Sequence, residues 1–380
     1  MNTVTKLEQL IEELCPNGVE FKKIKDVFQR LKGTPITAGK MKEIEKPNGE
    51  IKIFAGGKTV INANEADIPN ANITRVPAVL VQSRGVIDVV YYEKPFTFKN
   101  EMWAYTTDNK TTVKYLYYVL KNNIQHFRDA ASGMGSLPQI SLPVTEEFYV
   151  PIPPLPVQSE IVRILDNFTE LTAELTAELT AELTARRKQY EYYRNKVLSL
   201  KSNGCKLLLK DIANTFRGEY ITKSSTKEGN IPVILGGQEP AYYIDKYNHE
   251  GEIVVVARSG ASAGFVSYWN ERIFITDGFG YEAKQSIVTQ KYLYYILKNI
   301  EAKLNSMKRG AGVPHVSGEA LNNLEFIIPT LKEQERIVAI LDRFDTLCND
   351  ISAGLPAEIE ARQKQYEYYR DKLLTFKELT

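Results

Sequence analysis

Leu171-Thr-Ala-Glu-Leu-Thr-Ala-Glu-Leu-Thr-Ala-Glu-Leu-Thr-Ala185 contains three full Thr-Ala-Glu-Leu tetrads that run on into Thr184 and Ala185. Ala, Glu and Leu are strong helix formers, and no Gly or Pro intervenes from Val157 to Ser202. The stretch therefore predicts one helix on the order of 65 Å long at 1.5 Å per residue. Leu171, Leu175, Leu179 and Leu183 fall at i, i+4 spacing. Four residues overshoot a full turn by roughly 40°, so these leucines form one slowly drifting apolar stripe. Adding or removing a tetrad changes the length by about 6 Å and turns the far end by about 40°. Such a segment is a ruler that can be reset in discrete units without losing its seam.

The flanks of the ruler recur. Ile152-Pro-Pro-Leu155 with Gln158, Ile161, Val162, Ile164, Leu165, Asp166 and Phe168 returns 176 positions later, without a gap, as Ile328-Pro-Thr-Leu331 with Gln334, Ile337, Val338, Ile340, Leu341, Asp342 and Phe344. At the same offset Lys188-Gln-Tyr-Glu-Tyr-Tyr-Arg194 becomes Lys364-Gln-Tyr-Glu-Tyr-Tyr-Arg370. The ruler's leucines map onto Leu347, Ile351, Leu355 and Ile359, which predicts a second long helix of equal span with a matching stripe. Gly354 and Pro356 break the match and predict a kink there.

Each helical segment follows a β-rich stretch. Leu7, Leu10, Ile11 and Leu14 predict a short lead-in helix over residues 5–15, stopped by Pro16-Asn-Gly18. Then come strand-like runs cut by turns: Ile51–Phe54 before Gly56-Gly57, Ala78–Val81 before Gly85, and Val86–Tyr92, with one helix from Thr112 to Asn122. The second stretch repeats this loosely. Lys114–Asn122 corresponds to Lys291–Asn299, Phe54-Ala-Gly-Gly57 to Ile234-Leu-Gly-Gly237, and Ser132-Gly-Met-Gly135 to Arg309-Gly-Ala-Gly312. The expected organisation is a β-rich domain over 1–150, a long helix over 151–203, a second β-rich domain over 204–327 and a second long helix over 328–380. The fold class is α+β: two β-rich domains, each with an embedded helix, separated by two long antiparallel helices in a coiled-coil spacer with internal pseudo-twofold symmetry.

Composition bounds the rest. A chain of 380 residues exceeds one ordinary core. Its 43% hydrophobic and 25% charged residues are those of a soluble globular protein, and its net charge of +1 neither demands nor forbids nucleic acid. No run of eighteen apolar residues is present and the start is charged, so no membrane association and a cytoplasmic location are expected. Cys15, Cys205 and Cys348 are isolated, which excludes a Cys-x-x-Cys metal pair and argues against a disulfide framework. Gly56-Gly57-Lys58-Thr59 ends like a phosphate loop, but Lys52 stands where its first glycine belongs. Ile152-Pro-Pro-Leu155 offers no acid or amide for amino-methyl transfer. His126, His249 and His315 show no metal or triad spacing, and the first two read as packing or surface residues.

Two β-rich domains, Pro-rich turns, paired Ile-Val-x-Ile-Leu-Asp helices with Lys-Gln-Tyr-Glu-Tyr-Tyr-Arg ends and the tetrad array together resemble the specificity subunit of type I restriction-modification systems over essentially the whole chain. That resemblance implies two target recognition domains that each read half of a bipartite, interrupted sequence in double-stranded DNA. It implies helices that set the gap, one tetrad spanning close to two base-pair rises, and that dock two modification subunits, which restriction subunits join. It also implies a non-catalytic chain with no cofactor or metal of its own, S-adenosylmethionine, ATP and Mg being handled by the partners. The alternatives left open are a methyltransferase or nuclease with its own recognition domains, and a coiled-coil scaffold with β-rich heads that bind proteins or glycans.

If two copies of one fold read unlike half-sites, shared residues are scaffold and differing polar residues at equivalent loops are readers. On that logic Lys58 stands opposite Gln238, Gln82-Ser-Arg-Gly85 opposite Ala257-Arg-Ser-Gly260, and Pro138-Gln-Ile-Ser141 opposite Pro314-His-Val-Ser317. Lys suits guanine and Gln suits adenine. The candidate DNA contacts are Lys58, Arg84, Gln139, Ser141, Gln238, Arg258, Ser259, Lys308, Arg309 and His315. Lys308 and Arg309 are read as phosphate contacts, and Ser141 and Ser317 as phosphate contacts or turn caps. Tyr190, Tyr192 and Tyr193, with Tyr366, Tyr368 and Tyr369, read as packing or partner-docking surface, and Arg186-Arg-Lys188 as a solvated face.

Overall fold

The computed structural model describes residues 6–57, 59–132, 137–199, 204–235, 239–310, 314–349 and 354–379. The chain divides into two compact units, Met1–Glu178 with Glu360–Thr380, and Leu179–Ile359. Each unit thus combines one β-rich stretch with parts of both helical segments.

The strands of the first unit are β1 (Phe21–Lys23), β2 (Gln29–Lys32), β3 (Ile51–Phe54), β4 (Val60–Ala63), β5 (Ala78–Gln82), β6 (Asp88–Tyr92), β7 (Phe96–Phe98), β8 (Trp103–Thr106) and β9 (Tyr149–Pro151). They form an antiparallel sheet β2-β8-β5-β6, a mixed sheet β4-β3-β7 and an antiparallel pair β1-β9. The helices are α1 (Lys6–Leu14), α2 (Ile24–Val27), α3 (Ala38–Ile44), α4 (Lys110–Asn122), α5 (Ile124–Asp129), α6 (Leu142–Glu146) and the start of α7 (Leu155–Ser199). The run Ala78–Gln82 alternates its faces: Val79 and Val81 join Tyr105, Leu116 and Val119 in one core, while Ala78 and Leu80 join Phe96, Phe98 and Ala104 in another. A strand buried on both faces explains why Ala78–Val81 is continuously apolar.

The second unit repeats this layout strand for strand. Here β10 (Cys205–Leu208), β11 (Ala213–Arg217), β12 (Ile231–Ile234), β13 (Tyr243–Ile244), β14 (Glu252–Ala257), β15 (Val266–Asn270), β16 (Phe274–Ile275), β17 (Gly278–Ala283) and β18 (Glu325–Ile328) form sheets β11-β17-β14-β15, β13-β12-β16 and β10-β18. Its helices are α8 (Leu209–Ile212), α9 (Gln290–Asn299), α10 (Glu301–Ser306), α11 (Gly318–Asn322), α12 (Leu331–Asn349) and α13 (Leu355–Leu374), of which the last runs on into the first unit.

Several expectations are revised. The single helix foreseen in each β-rich stretch is accompanied by short ones, α2, α3, α5 and α6 in the first unit, each too brief to show a helical period in sequence. α4 begins two residues earlier than expected because Asn109 Oδ1 caps it, accepting from the Thr112 N–H at 3.1 Å. The second helical segment is described as α12 up to Asn349 and α13 from Leu355, residues 350–353 between them lying outside the described residues; Pro356 lies in the first turn of α13, where its missing N–H costs nothing. The apolar stripe is unevenly used. Leu179 is 8% exposed and Leu355 9%, Leu175, Leu183 and Ile359 are half-buried, and Leu171 and Leu347 are exposed at 60% and 37%. Ile351 lies outside the described residues.

The repeated motifs close each unit in the same way. Asp166 accepts from Tyr118 Oη at 2.6 Å and from Lys114 Nζ at 2.8 Å; Asp342 accepts from Tyr295 Oη at 2.5 Å and pairs with Lys291 Nζ at 3.6 Å. Burial first, and then the aspartate acceptor, push both tyrosine hydroxyls well above their ordinary pKa. Gln158 Nε2 donates to the Pro153 carbonyl and Gln334 Nε2 to that of Pro329, both at 2.8 Å. Arg370 Nε donates to Asn122 at 3.0 Å while Phe168 packs on Tyr369; Arg194 Nε donates to Asn299 at 3.2 Å while Phe344 packs on Tyr193. Within the first unit α7 and α13 run antiparallel, since Thr169 meets Tyr366 while the later Leu171 and Leu175 face the earlier Arg362 and Gln365. Lys377–Leu379 then pairs with Val19 through two backbone hydrogen bonds of 2.9 Å. Tyr190 is buried and Tyr366 half-buried, whereas Tyr192, Tyr193, Tyr368 and Tyr369 remain exposed. Arg186 pairs with Glu182 at 3.3 Å.

Glu160, only 4% exposed, is held by Arg163 at 2.6 Å and Lys6 at 3.0 Å. Arg163 above all brings its carboxyl from the ordinary 4.5 down to about 2 against the opposing effect of burial. A depressed folded-state pKa stabilises the unit above pH 4.5, and that stabilisation is lost as pH falls toward about 2. Replacing Glu160 with Gln should lower unfolding free energy at pH 7 by about 1.5–3 kcal/mol and flatten the acid limb of the stability curve. Denaturant titrations from neutral to acid pH check both effects; an unchanged acid limb would show that Glu160 is not a linked group.

Candidate nucleic-acid interface

The reader positions foreseen at separate loops are joined in each unit by one small ladder. In the first unit, Ser132 and Gln139 exchange backbone hydrogen bonds of 2.9 and 3.0 Å, and Gln139 also lies in an antiparallel bridge with Arg84. That second bridge is held from its flanks, Gly85 N–H to the Pro138 carbonyl and Ile140 N–H to the Ser83 carbonyl, both at 2.9 Å. In the second unit Arg309 and His315 exchange bonds of 3.0 and 2.9 Å, His315 bridges Ser259, and Gly260 and Val316 donate to Pro314 and Arg258 at 3.0 and 2.9 Å. The two ladders are backbone-equivalent, so Arg84 matches Ser259, Gln139 matches His315, and Ser132 matches Arg309.

The surroundings differ in how they engage charge. Arg84 is exposed and its guanidinium has no partner among the described residues. Beside it Lys99 and Glu101 pair at 3.0 Å, and with Lys42, Gly57 and Leu137 they line a cleft of about 700 Å³. Gln82 is buried and donates from Nε2 to the Gly57 carbonyl at 2.9 Å, so it shapes the paired-glycine turn. In the second unit Asp277 occupies the place of Glu101 on the strand lead-in. It pairs with Arg258 at 3.5 Å and accepts from the Ser259 hydroxyl. Arg258 matches Ser83, which is fully buried and donates to the Glu101 carbonyl at 2.6 Å. Arg258 is therefore engaged by a neighbouring carboxylate, while exposed Arg309 has no carboxylate partner among the described residues.

Lys308 Nζ donates to the Ala261 carbonyl at 2.7 Å and with Arg309, His315, Ser317 and Asn323 lines a cleft of about 610 Å³. Ser317 caps α11, accepting from Ala320 N–H at 3.4 Å; Ser141 stands at the same place before α6 without a side-chain cap bond. Lys58 and Gln238 lie outside the described residues. Ser132, Glu101 and Asp277 were not singled out in the sequence. The first could have been, as the partner of Arg309 in the Ser132-Gly/Arg309-Gly match. His126 meets Phe127 edge-on and Phe148 at a tilt, and His249 Nδ1 approaches Glu282 at 3.3 Å. Among the described residues no group of three or more His, Cys, Asp or Glu side chains could hold a metal ion, and no helix is long and apolar enough to cross a membrane.

Residues 16–185 and 206–361 each match the type I restriction modification DNA specificity domain. The chain belongs to the type I restriction-modification specificity subunit family. It is 37% identical to a type I restriction enzyme specificity subunit of Haemophilus influenzae, covering 74% of this chain and 77% of that one. It is 35% identical to the EcoR124I/EcoR124II specificity subunit of Escherichia coli, covering 71% and 72%. The fold is shared with the solved S subunit from M. genitalium, at a TM-score of 0.53 and 19% identity over 94% and 96% of the two chains. It is also shared with a chain from a type I R-M assembly, at 0.65 and 16% over 95% and 98%. Specificity subunits of this family carry DNA recognition rather than catalysis, and the doubled domain is the internal repeat seen in the sequence.

Gly85 and Gly260 turn the ladder at φ values of 80° and 78°. A Cβ at Gly260 would meet nothing within 4 Å, so its requirement is purely conformational. Gly260→Ala should cost about 1–2 kcal/mol, and Gly260→Asn distinctly less, in denaturant unfolding. Equal costs for the two would mean that packing, and not the left-handed backbone, sets the residue.

Proposed function

We propose that each unit reads one half of a bipartite, interrupted DNA target, with exposed side chains on the two ladders supplying base contacts. The helices set the gap between half-sites and dock two modification subunits, to which restriction subunits add. Methyl transfer from S-adenosylmethionine and the ATP- and Mg-dependent steps belong to those partners; this chain holds no cofactor and acts in the cytoplasm. The observation that carries the reading is one repeated backbone ladder bearing Arg, Gln and Ser in one copy and Ser, His and Arg in the other, on a scaffold otherwise matched strand for strand. Repetition of scaffold with divergence at exposed loop positions is what two unlike half-sites require of two like domains. Lys58, Gln238, Ser141, Arg258 and Lys308 complete the proposed contact set; Lys308 stays on phosphate, while Arg309, read from the sequence as a phosphate contact, joins the base readers because it shares the ladder with His315.

Two outcomes are expected. Deleting Thr176–Leu179 should shorten the tolerated gap, since about 6 Å of helix is lost, while both half-site sequences stay the same. Methylation mapping of the complex reads this, and a changed half-site at an unchanged gap would defeat the ruler. Arg84→Ala should cost about 1–3 kcal/mol of discrimination at one base pair and affect only one half-site, as measured by competition binding with singly substituted duplexes at fixed salt. Binding without any sequence preference, even with modification subunits present, would instead favour a scaffold whose β-rich heads hold protein or glycan.

A further inference from the structure

We infer that the place of the arginine on the ladder fixes which base pair of each half-site is read most strictly, and that the two units have this arginine at opposite ends of the same three-residue array. The inference rests on the half-site reading above. Directly opposed residues of an antiparallel bridge present their side chains on one face. Ser132, Gln139 and Arg84 therefore emerge side by side, as do Arg309, His315 and Ser259.

The bonding pattern sets the spacing. Ser132–Gln139 and Arg309–His315 are hydrogen-bonded pairs, about 5.5 Å between Cα atoms, and Gln139–Arg84 and His315–Ser259 are pairs bonded only through their neighbours, about 4.5 Å apart. The ends of each ladder are thus about 10 Å apart, close to three base-pair rises of 3.4 Å. Arginine stands at one end in the first unit, at position 84, and at the other in the second, at 309. Serine fills the vacated end each time. Arg84, Gln139, Ser132, His315 and Arg309 are exposed and Ser259 is half-buried. Backbone bonds carry the array; the Ser132 hydroxyl adds a bond of 3.4 Å to the Gln139 carbonyl and the Ser259 hydroxyl one to Asp277, so exchanging these small or exposed side chains should leave the ladder formed. Arginine is the side chain that reads guanine O6 and N7 most commonly. Moving it along the array therefore moves the strictest G·C requirement.

The test is made on the full chain assembled with its modification subunits, with selection from duplexes randomised across both half-sites. Arg84→Ser should relax one base pair by about 10- to 100-fold. The double variant Arg84→Ser with Ser132→Arg should restore strictness about three base pairs away in the same half-site, leaving the other half-site unchanged. Ser132→Arg alone should add a requirement at the new position without removing the old one. In the second unit, Ser259→Arg with Arg309→Ser should shift the other half-site in the opposite sense along its ladder, which covers the case in which the first double variant fails to fold. Loss of the old requirement with no new one in either unit overturns the inference while leaving the half-site reading in place. Equal relaxation of both half-sites by Arg84→Ser overturns both.

Discussion

Each unit is completed by a helix end from the other sequence repeat, and the rest of the architecture depends on that closure. Arg370 grips Asn122 on the tyrosine-rich helix of the first unit, and Arg194 grips Asn299 on its counterpart. The aspartates Asp166 and Asp342 anchor the same helices from the opposite end of the motif, through Tyr118 and Tyr295. A half-buried tyrosine–carboxylate bond is strong because both partners lose water together, and removing either leaves an unpaired polar group behind. Neither repeat is therefore a self-sufficient module: the Lys-Gln-Tyr-Glu-Tyr-Tyr-Arg end that follows a β-rich stretch in sequence does not close that stretch in space. This is why the chain divides into Met1–Glu178 with Glu360–Thr380, and Leu179–Ile359, and not into two consecutive halves.

That closure constrains α7 in turn. Its first turns belong to the core containing Val157, Ile161 and Leu165, and its last to the core containing Tyr190, Val197 and Leu198. Between them lie the tetrads, where burial is uneven: Leu179 is buried, Leu175 and Leu183 are half-buried and Leu171 is largely exposed. Packing fixes the two ends, while helix propensity and the Glu182–Arg186 type of pair carry the middle. Its leucines repeat every four residues, so a whole tetrad added or removed keeps the same residue types on the stripe and the same helix-forming composition between the two cores.

What the sequence disclosed follows from the same division. The strands at Ile51–Phe54 and Ala78–Gln82, the tyrosine helices and the long helix were legible because each depends on a run of apolar or helix-forming residues. The ungapped offset between Asp166 and Asp342 identified the motif but not its partner, since Tyr118 and Tyr295 lie far away in sequence and only the fold brings them near. The brief helices α2, α3, α5 and α6 left no period to read. At the ladders, comparing the copies singled out Arg84, Gln139 and His315, which the backbone bridges bring together. It could not show that Arg258 would be engaged by Asp277, nor that Ser132 and Arg309 would be ladder-mates of Gln139 and His315, because cross-strand pairing is set by backbone hydrogen bonds between residues with no local signature.

The placement of charge separates specificity from affinity on the proposed reading. The chain carries 48 Lys and Arg against 47 Asp and Glu, and several cations near the ladders are already engaged: Lys99 by Glu101, Arg258 by Asp277 and Lys308 by a carbonyl. Attraction to the DNA backbone grows with the number of phosphates neutralised and is indifferent to sequence. A recognition subunit rich in free cations would hold any duplex and search slowly. On that reading, carboxylates beside the arginine turns limit the sequence-blind attraction, while Arg84 and Arg309, without an ion-pair partner among the described residues, are the cations left for base contacts. Discrimination would then rest with side chains carried on the backbone-bonded ladder, and the phosphate grip on a long duplex would fall to the partner subunits proposed above.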